Sequence, residues 1–167
     1  MMLRLSKASM VLAIALFASL VAFGNITDYG SNFNFVHHVF LMDTIFPDAT
    51  IKYRAIAPVW LHHAGYIAII GLETVTAILC WIGGLRLLAR RSAPAAEFND
   101  SKSWAIAGLT LGFLTWQVAF MSIGGEWFGM WMSQTWNGVP DAFRFFITIL
   151  AVLIYLVLPD TDSAQSR

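Results

Sequence analysis

The chain has 167 residues, of which 58% are hydrophobic and only 12% charged, where soluble domains carry roughly a quarter charged residues. That leaves too little polar surface for a water-facing fold, and the length allows one compact domain, so most of the chain is solvated by lipid. Ten basic side chains balance ten acidic ones, giving no electrostatic case for a nucleic-acid partner, and the lone Cys80 excludes an internal disulfide or CxxC thiol chemistry.

A bilayer-spanning helix needs about 20 mainly apolar residues. The first candidate, 5–23, follows Arg4 and Lys7 and ends in Ala22-Phe23-Gly24, which reads either as an uncleaved anchor or as a signal-peptidase site. A long aromatic loop follows over 25–57. Within it Ser31 or Asn32 caps a short helix over 33–46 that Pro47 ends, and Phe33, Val36 and Phe40 give that helix an apolar face for the outer leaflet or the bundle mouth.

The second span, 58–88, starts on Pro58, a good first-turn residue. At 100° per residue Glu73 shares an azimuth with His62, and Tyr66 and Cys80 fall within about 20° of it. His62, Tyr66, Glu73, Thr76 and Cys80 therefore form a polar stripe that must face the bundle interior, because lipid satisfies none of them. A buried thiol such as Cys80 is inert.

The link 89–103 reads as an ordinary solvated connector, with a helix stop at Pro94 and N-cap candidates at Asn99, Asp100 and Ser101. The third span covers 104–123. A second loop, 124–140, holds Trp127, Trp131 and Trp136, three of the seven tryptophans, as expected of interfacial anchors or of a surface that binds a partner or lipid. The fourth span, 141–158, carries Arg144 in its first turn, where an arginine can snorkel to the headgroups. The tail, 159–167, is polar and reads as frayed.

Arg4, Lys7, Arg86, Arg90, Arg91, Lys102 and Arg167 fall on one side of these spans, against Lys52, Arg54 and Arg144 on the other. Basic flanks stay in the cytoplasm. Both termini are thus expected to be cytoplasmic, with the two aromatic loops outside.

Chemistry-bearing residues gather on that outer side. The four histidines form two doublets, His37-His38 and His62-His63, and one from each could ligate haem b or, with Glu126, a metal ion, the alternative being structural hydrogen-bonded imidazoles. Glu73 at membrane depth needs a cation or a proton, and Arg144 is the available cation. Glu126 and Arg144, 18 residues apart, are expected to pair as a clamp between the second loop and the fourth span. Gly108-xxx-Gly112, Ala15-xxx-Ser19 and Ala18-xxx-Ala22 read as close helix packing within the chain.

The chain resembles a bacterial family of predicted small integral membrane proteins with four spans and no established activity. The resemblance covers 12–158 and rests on Asn25-Ile26-Thr27-Asp28-Tyr29, Phe35-Val36-His37-His38-Val39, Met42-Asp43-Thr44, Tyr53-Arg54-Ala55-Ile56, Glu73, Gly124-Gly125-Glu126-Trp127-Phe128, Trp136-Asn137-Gly138 and Phe143-Arg144-Phe145. Where the family pattern carries glutamine this chain has His37, which makes His38 the better ligand candidate of its doublet. The resemblance implies a four-helix fold and an inner-membrane address.

The expectation is therefore a single all-α membrane domain, a four-helix bundle with two aromatic outer loops, in the bacterial inner membrane. No nucleotide loop, nucleophile triad or redox cysteine pair appears in the sequence, and the distinctive residues cluster on one face. That favours an accessory or interaction subunit with a membrane-protein partner or a second copy of itself, over an enzyme. The alternatives are a redox subunit holding haem b or a metal at His38 and His62, and a transporter of a small solute or proton that uses Glu73.

Overall fold

The computed structural model describes residues 1–162, and among them four helices are long and apolar enough to cross a membrane. They are α1 (Met2–Thr27), α3 (Val59–Ala89), a composite helix that ends at Trp127, and α6 (Val139–Val157). The composite helix comprises α4 (Ala95–Asp100), α5 (Ser103–Leu114) and a π-helical continuation, Thr115–Trp127. The chain is an integral membrane bundle. Residues 163–167, including Arg167, lie outside the described part.

Two boundaries differ from expectation. α1 continues through Gly24 to Thr27, the Thr27 hydroxyl donating to the Phe23 carbonyl at 2.8 Å, so Asn25 belongs to the helix and not to a loop. α2 (Tyr29–Leu41) follows after Asp28 alone. Asn32 lies inside it, donating its side-chain amide to the Asp28 carbonyl at 3.0 Å, so it does not act as the cap. The helix stops well before Pro47, because Met42 takes the left-handed conformation (φ 52°) while its side chain is buried.

α3 is the hub, packed on α1 along one side and α5 along the other, with α6 against α5 and its π-helical continuation. Small residues make this contact close: a Cβ added to Gly108 would lie 2.9 Å from the backbone nitrogen of Cys80, and one added to Gly83 would overlap the Ala105 backbone. On α1, Ala8, Ala15 and Ala18 are fully buried, whereas Leu16 and Leu20 point outward. Large apolar side chains on the outside and small ones between helices are what a lipid solvent allows, since lipid tails solvate leucine as well as a core does.

A second, smaller core lies at the end of the bundle remote from the chain termini. Val39, Met42 and Ile45 bury against Phe128 and Met130, so the two long loops pack on each other. The Thr44 and Ser133 hydroxyls link them at 2.8 Å.

The terminal end is also more ordered than its composition suggests. The link over 89–103 is not a plain solvated connector, because it folds into α4 with Phe98 fully buried. Nor is the start of the tail frayed. Asp160 is buried and accepts from Lys7 and Lys102, each at 2.7 Å, and both ammonium groups also donate to the Leu158 carbonyl. Asn99 completes the knot, donating to the Asp160 carbonyl at 2.9 Å. Burial alone would raise the Asp160 pKa, but the hydrogen bonds and charges of Lys102 and Lys7 outweigh it and hold the carboxyl below its ordinary range.

Candidate functional site

The regular turn of α3 aligns His62, Tyr66, Glu73, Thr76 and Cys80, and all five are buried. Beside the upper part of this stripe lies a cavity of about 210 Å³, walled by α1, α2, α3, the π-helical stretch and α6. Along α3, Glu73 is the lining residue farthest from the loop end, so it forms the floor. Half-buried Asn32 and exposed Asp141 bring the cavity to the surface.

Glu73 is 1% exposed, and its hydrogen-bond partner among the described residues is a neutral amide. Asn25 Nδ2 donates to Oε2 at 2.7 Å, and the other carboxylate oxygen has no partner there. Asn25 is itself held by Tyr66, whose hydroxyl donates to the Asn25 carbonyl at 3.0 Å. Sequence reasoning missed Asn25 because it appeared to lie beyond the end of the first span. One turn deeper, the buried Thr76 hydroxyl is without a partner among the described residues, a state that costs about 1–3 kcal/mol for a buried polar group.

The π-helical stretch supplies two aromatic walls, Trp116 and Phe120, of which Trp116 is almost fully buried. Its wider turn is marked by an i→i−5 bond from the Phe128 amide to the Ile123 carbonyl at 3.0 Å. Such segments are rare in proteins and concentrate at functional sites. Nothing in the sequence pattern of Thr115–Trp127 announces it.

α2 forms a lid over the cavity and is latched to α3 by histidines. Tyr29 bonds His63 at 2.8 Å, Phe33 stacks on His63 at 4.0 Å, and His37 Nδ1 meets His62 Nδ1 at 2.9 Å. The Ile56 carbonyl lies 2.7 Å from His62 Nε2 and can only accept, so that nitrogen carries a proton. Neutral His62 then accepts at Nδ1 and His37 donates, a tautomer assignment that follows from the partners. Burial lowers the pKa of His37, and the neighbouring His62 and His38 lower it further, against a smaller opposite pull from Asp43.

Two expected pairings are not formed. His38 does not join His62: it bonds Asp43 at 2.8 Å and stacks on Trp136, while both ring nitrogens of His62 are engaged by His37 and Ile56. Neither imidazole offers the geometry of a shared haem or metal ligand pair, and among the described residues no group of three His, Cys, Asp or Glu side chains could hold a metal ion. The Glu126–Arg144 clamp is likewise absent. Arg144 pairs with Asp141, three residues back on its own helix, and exposed Glu126 has no ion-pair partner among the described residues.

The family described as "Predicted small integral membrane protein (DUF2165)" matches residues 3–159. Nothing among curated proteins or solved structures matches the chain.

Proposed function

The chain belongs to the family of predicted small integral membrane proteins, and from that premise we propose that it is an accessory membrane subunit that works by binding, through the cavity under α2. The observation that carries this reading is Glu73: a carboxylate held deep in a membrane bundle, answered among the described residues by a single amide, and part of the lining of a cavity. Intramembrane carboxylates are costly and mark functional positions.

The basic residues at the terminal end support a cytoplasmic placement for that end, under the positive-inside rule, in a bacterial inner membrane. The cavity then faces outward. α2 lies at the outer interface, and Trp60, Trp127 and Trp131, each about half exposed or more, sit at headgroup level. These exposed rings suit a membrane-protein partner or a second copy of the chain.

Affinity purification in mild detergent at native expression tests the reading. It should recover a stoichiometric membrane partner, or native mass spectrometry of the purified protein should show a retained small molecule. A monodisperse protein carrying neither would overturn it.

A further inference from the structure

We infer that the cavity takes an organic cation, an amine with a short apolar body, whose charged nitrogen meets Glu73. This rests on the binding reading above and adds to it the chemical class of the occupant.

The charges around the cavity are one-sided. Two carboxylates, Glu73 and Asp141, line it together with two amides and a phenol, and among the described residues no lysine, arginine or histidine does. Asp141 at the rim is already paired with Arg144. Among the described residues Glu73 on the floor receives a single amide hydrogen bond and no cation. A cation or a proton is the missing component, and an ammonium group is the guest that answers the carboxylate with a charge.

The walls select what kind. Phe35, Tyr66, Trp116, Phe120 and Phe145 all line the space, and the faces of such rings attract a positive charge, the more so once it is desolvated. A bare Ca²⁺ or Mg²⁺ ion is the wrong partner, because it needs about six oxygen ligands or more, and a transition metal would need several His, Cys, Asp or Glu ligands, of which the described residues hold no group of three. An anion would meet Glu73 as a like charge. A neutral guest with an O–H or N–H group could give the second carboxylate oxygen a hydrogen bond, as Asn25 does for the first, but would bring no charge to the site.

Volume sets the scale of the part of the guest that is enclosed, the cavity being open at Asn32 and Asp141. An apolar cavity of about 150 Å³ accepts benzene, so the 210 Å³ available here suits a ring with a short aminoalkyl arm.

The test uses three probes that share a ring and differ in head charge: phenethylamine, 2-phenylethanol and phenylacetate. Each is titrated by calorimetry into the full chain in nanodiscs of zwitterionic lipid, with empty nanodiscs as the blank. Phenethylamine should bind with one site per chain and at least about tenfold tighter than the alcohol, a ratio worth about 1.4 kcal/mol, with phenylacetate weakest. Glu73→Gln should bring the amine to the level of the alcohol. Because that substitution bears on folding, Val21→Trp serves as the second variant: it fills the cavity, keeps the carboxylate, and should abolish binding of the amine.

Equal binding of amine and alcohol, or tighter binding of phenylacetate, overturns the cation and leaves the binding reading standing. Amine binding unchanged in Val21→Trp places the ligand elsewhere and overturns the assignment. If none of the three probes binds, the cavity reading itself fails.

Discussion

Lys7 and Asp160 meet at 2.7 Å across 153 residues of sequence, with Lys102 on the same carboxylate oxygen at the same distance. The knot fastens the C-terminal end of α6 to the first helix and to the foot of α5. All three side chains are nearly inaccessible, at 1%, 3% and 4% exposure for Lys7, Asp160 and Lys102.

Removing the shared acceptor strands two buried ammonium groups, so Asp160→Ala should cost about 3–5 kcal/mol of stability, read as a fall in thermal midpoint in detergent. The pH dependence has a definite sign. The folded carboxyl titrates below its ordinary value of 3.8, so its contribution is complete above that pH and disappears as pH falls through the folded value. Wild type should lose stability on acidification below about pH 4, and Asp160→Asn should show a flatter profile. Parallel profiles for the two proteins would refute the role.

Asn25 and Glu73 form the next testable pair. Asn25→Ala leaves a buried carboxylate without its only described hydrogen bond, at an expected cost of about 1–3 kcal/mol. Asn25→Leu combined with Glu73→Leu should recover much of that loss, since replacing both partners with apolar groups removes the orphan. A double-mutant cycle with no coupling would show that the bond contributes nothing.

The latch on α2 should respond to pH nearer neutrality. Folding holds His37 below the ordinary value of 6.5, so its neutral form stabilises the fold above that value and the contribution is lost as pH falls through the folded value. His62, His38, Asp43 and His63 all act on it. His37→Gln keeps an amide donor for His62 and removes the titration, so it should preserve the midpoint at pH 8 and flatten its decline from about pH 6.5 downward. Hydrogen exchange across 29–41 is the local readout, and identical pH profiles for both proteins would count against the latch.

At exposed Glu126 the expected outcome is silence. Glu126→Ala should change stability by less than about 0.5 kcal/mol, and a cycle with Arg144→Met should show no coupling, because Arg144 is occupied by Asp141. A coupling of about 1 kcal/mol or more would mean that the pair forms in the membrane after all.

How far each feature could be seen in advance follows from the range over which it is determined. The polar stripe on α3 is legible because a regular helix converts spacing into azimuth, and α3 stays regular from His62 to Cys80. Asn25 is not, since its role depends on α1 persisting four residues beyond its apolar run. Arg144 shows a local neighbour at i−3 prevailing over a distant one. Lys7 and Lys102 were read as markers of topology, and counting charges says nothing about which carboxylate they reach. Trp116 and Phe120, four residues apart, share a face on an α- or π-helical period, but the π-helical phase change along Thr115–Trp127 meant that spacing did not say which neighbours that face would meet.

The backbone contact at Gly83 and Gly108 bears on traffic. Immediately beneath Glu73 a Cβ at Gly112 would come within 3.0 Å of the Thr76 methyl, and farther down Gly108 abuts Cys80 and Gly83 abuts Ala105, with Leu87 and Phe98 sealing the foot. Among the described residues the packing closes the cavity below Glu73, and its opening is the rim at Asn32 on α2 and Asp141 on α6. On the binding reading proposed above, a guest that reaches Glu73 enters and leaves by that rim, so its exchange rate is set there and not by any route through the bundle.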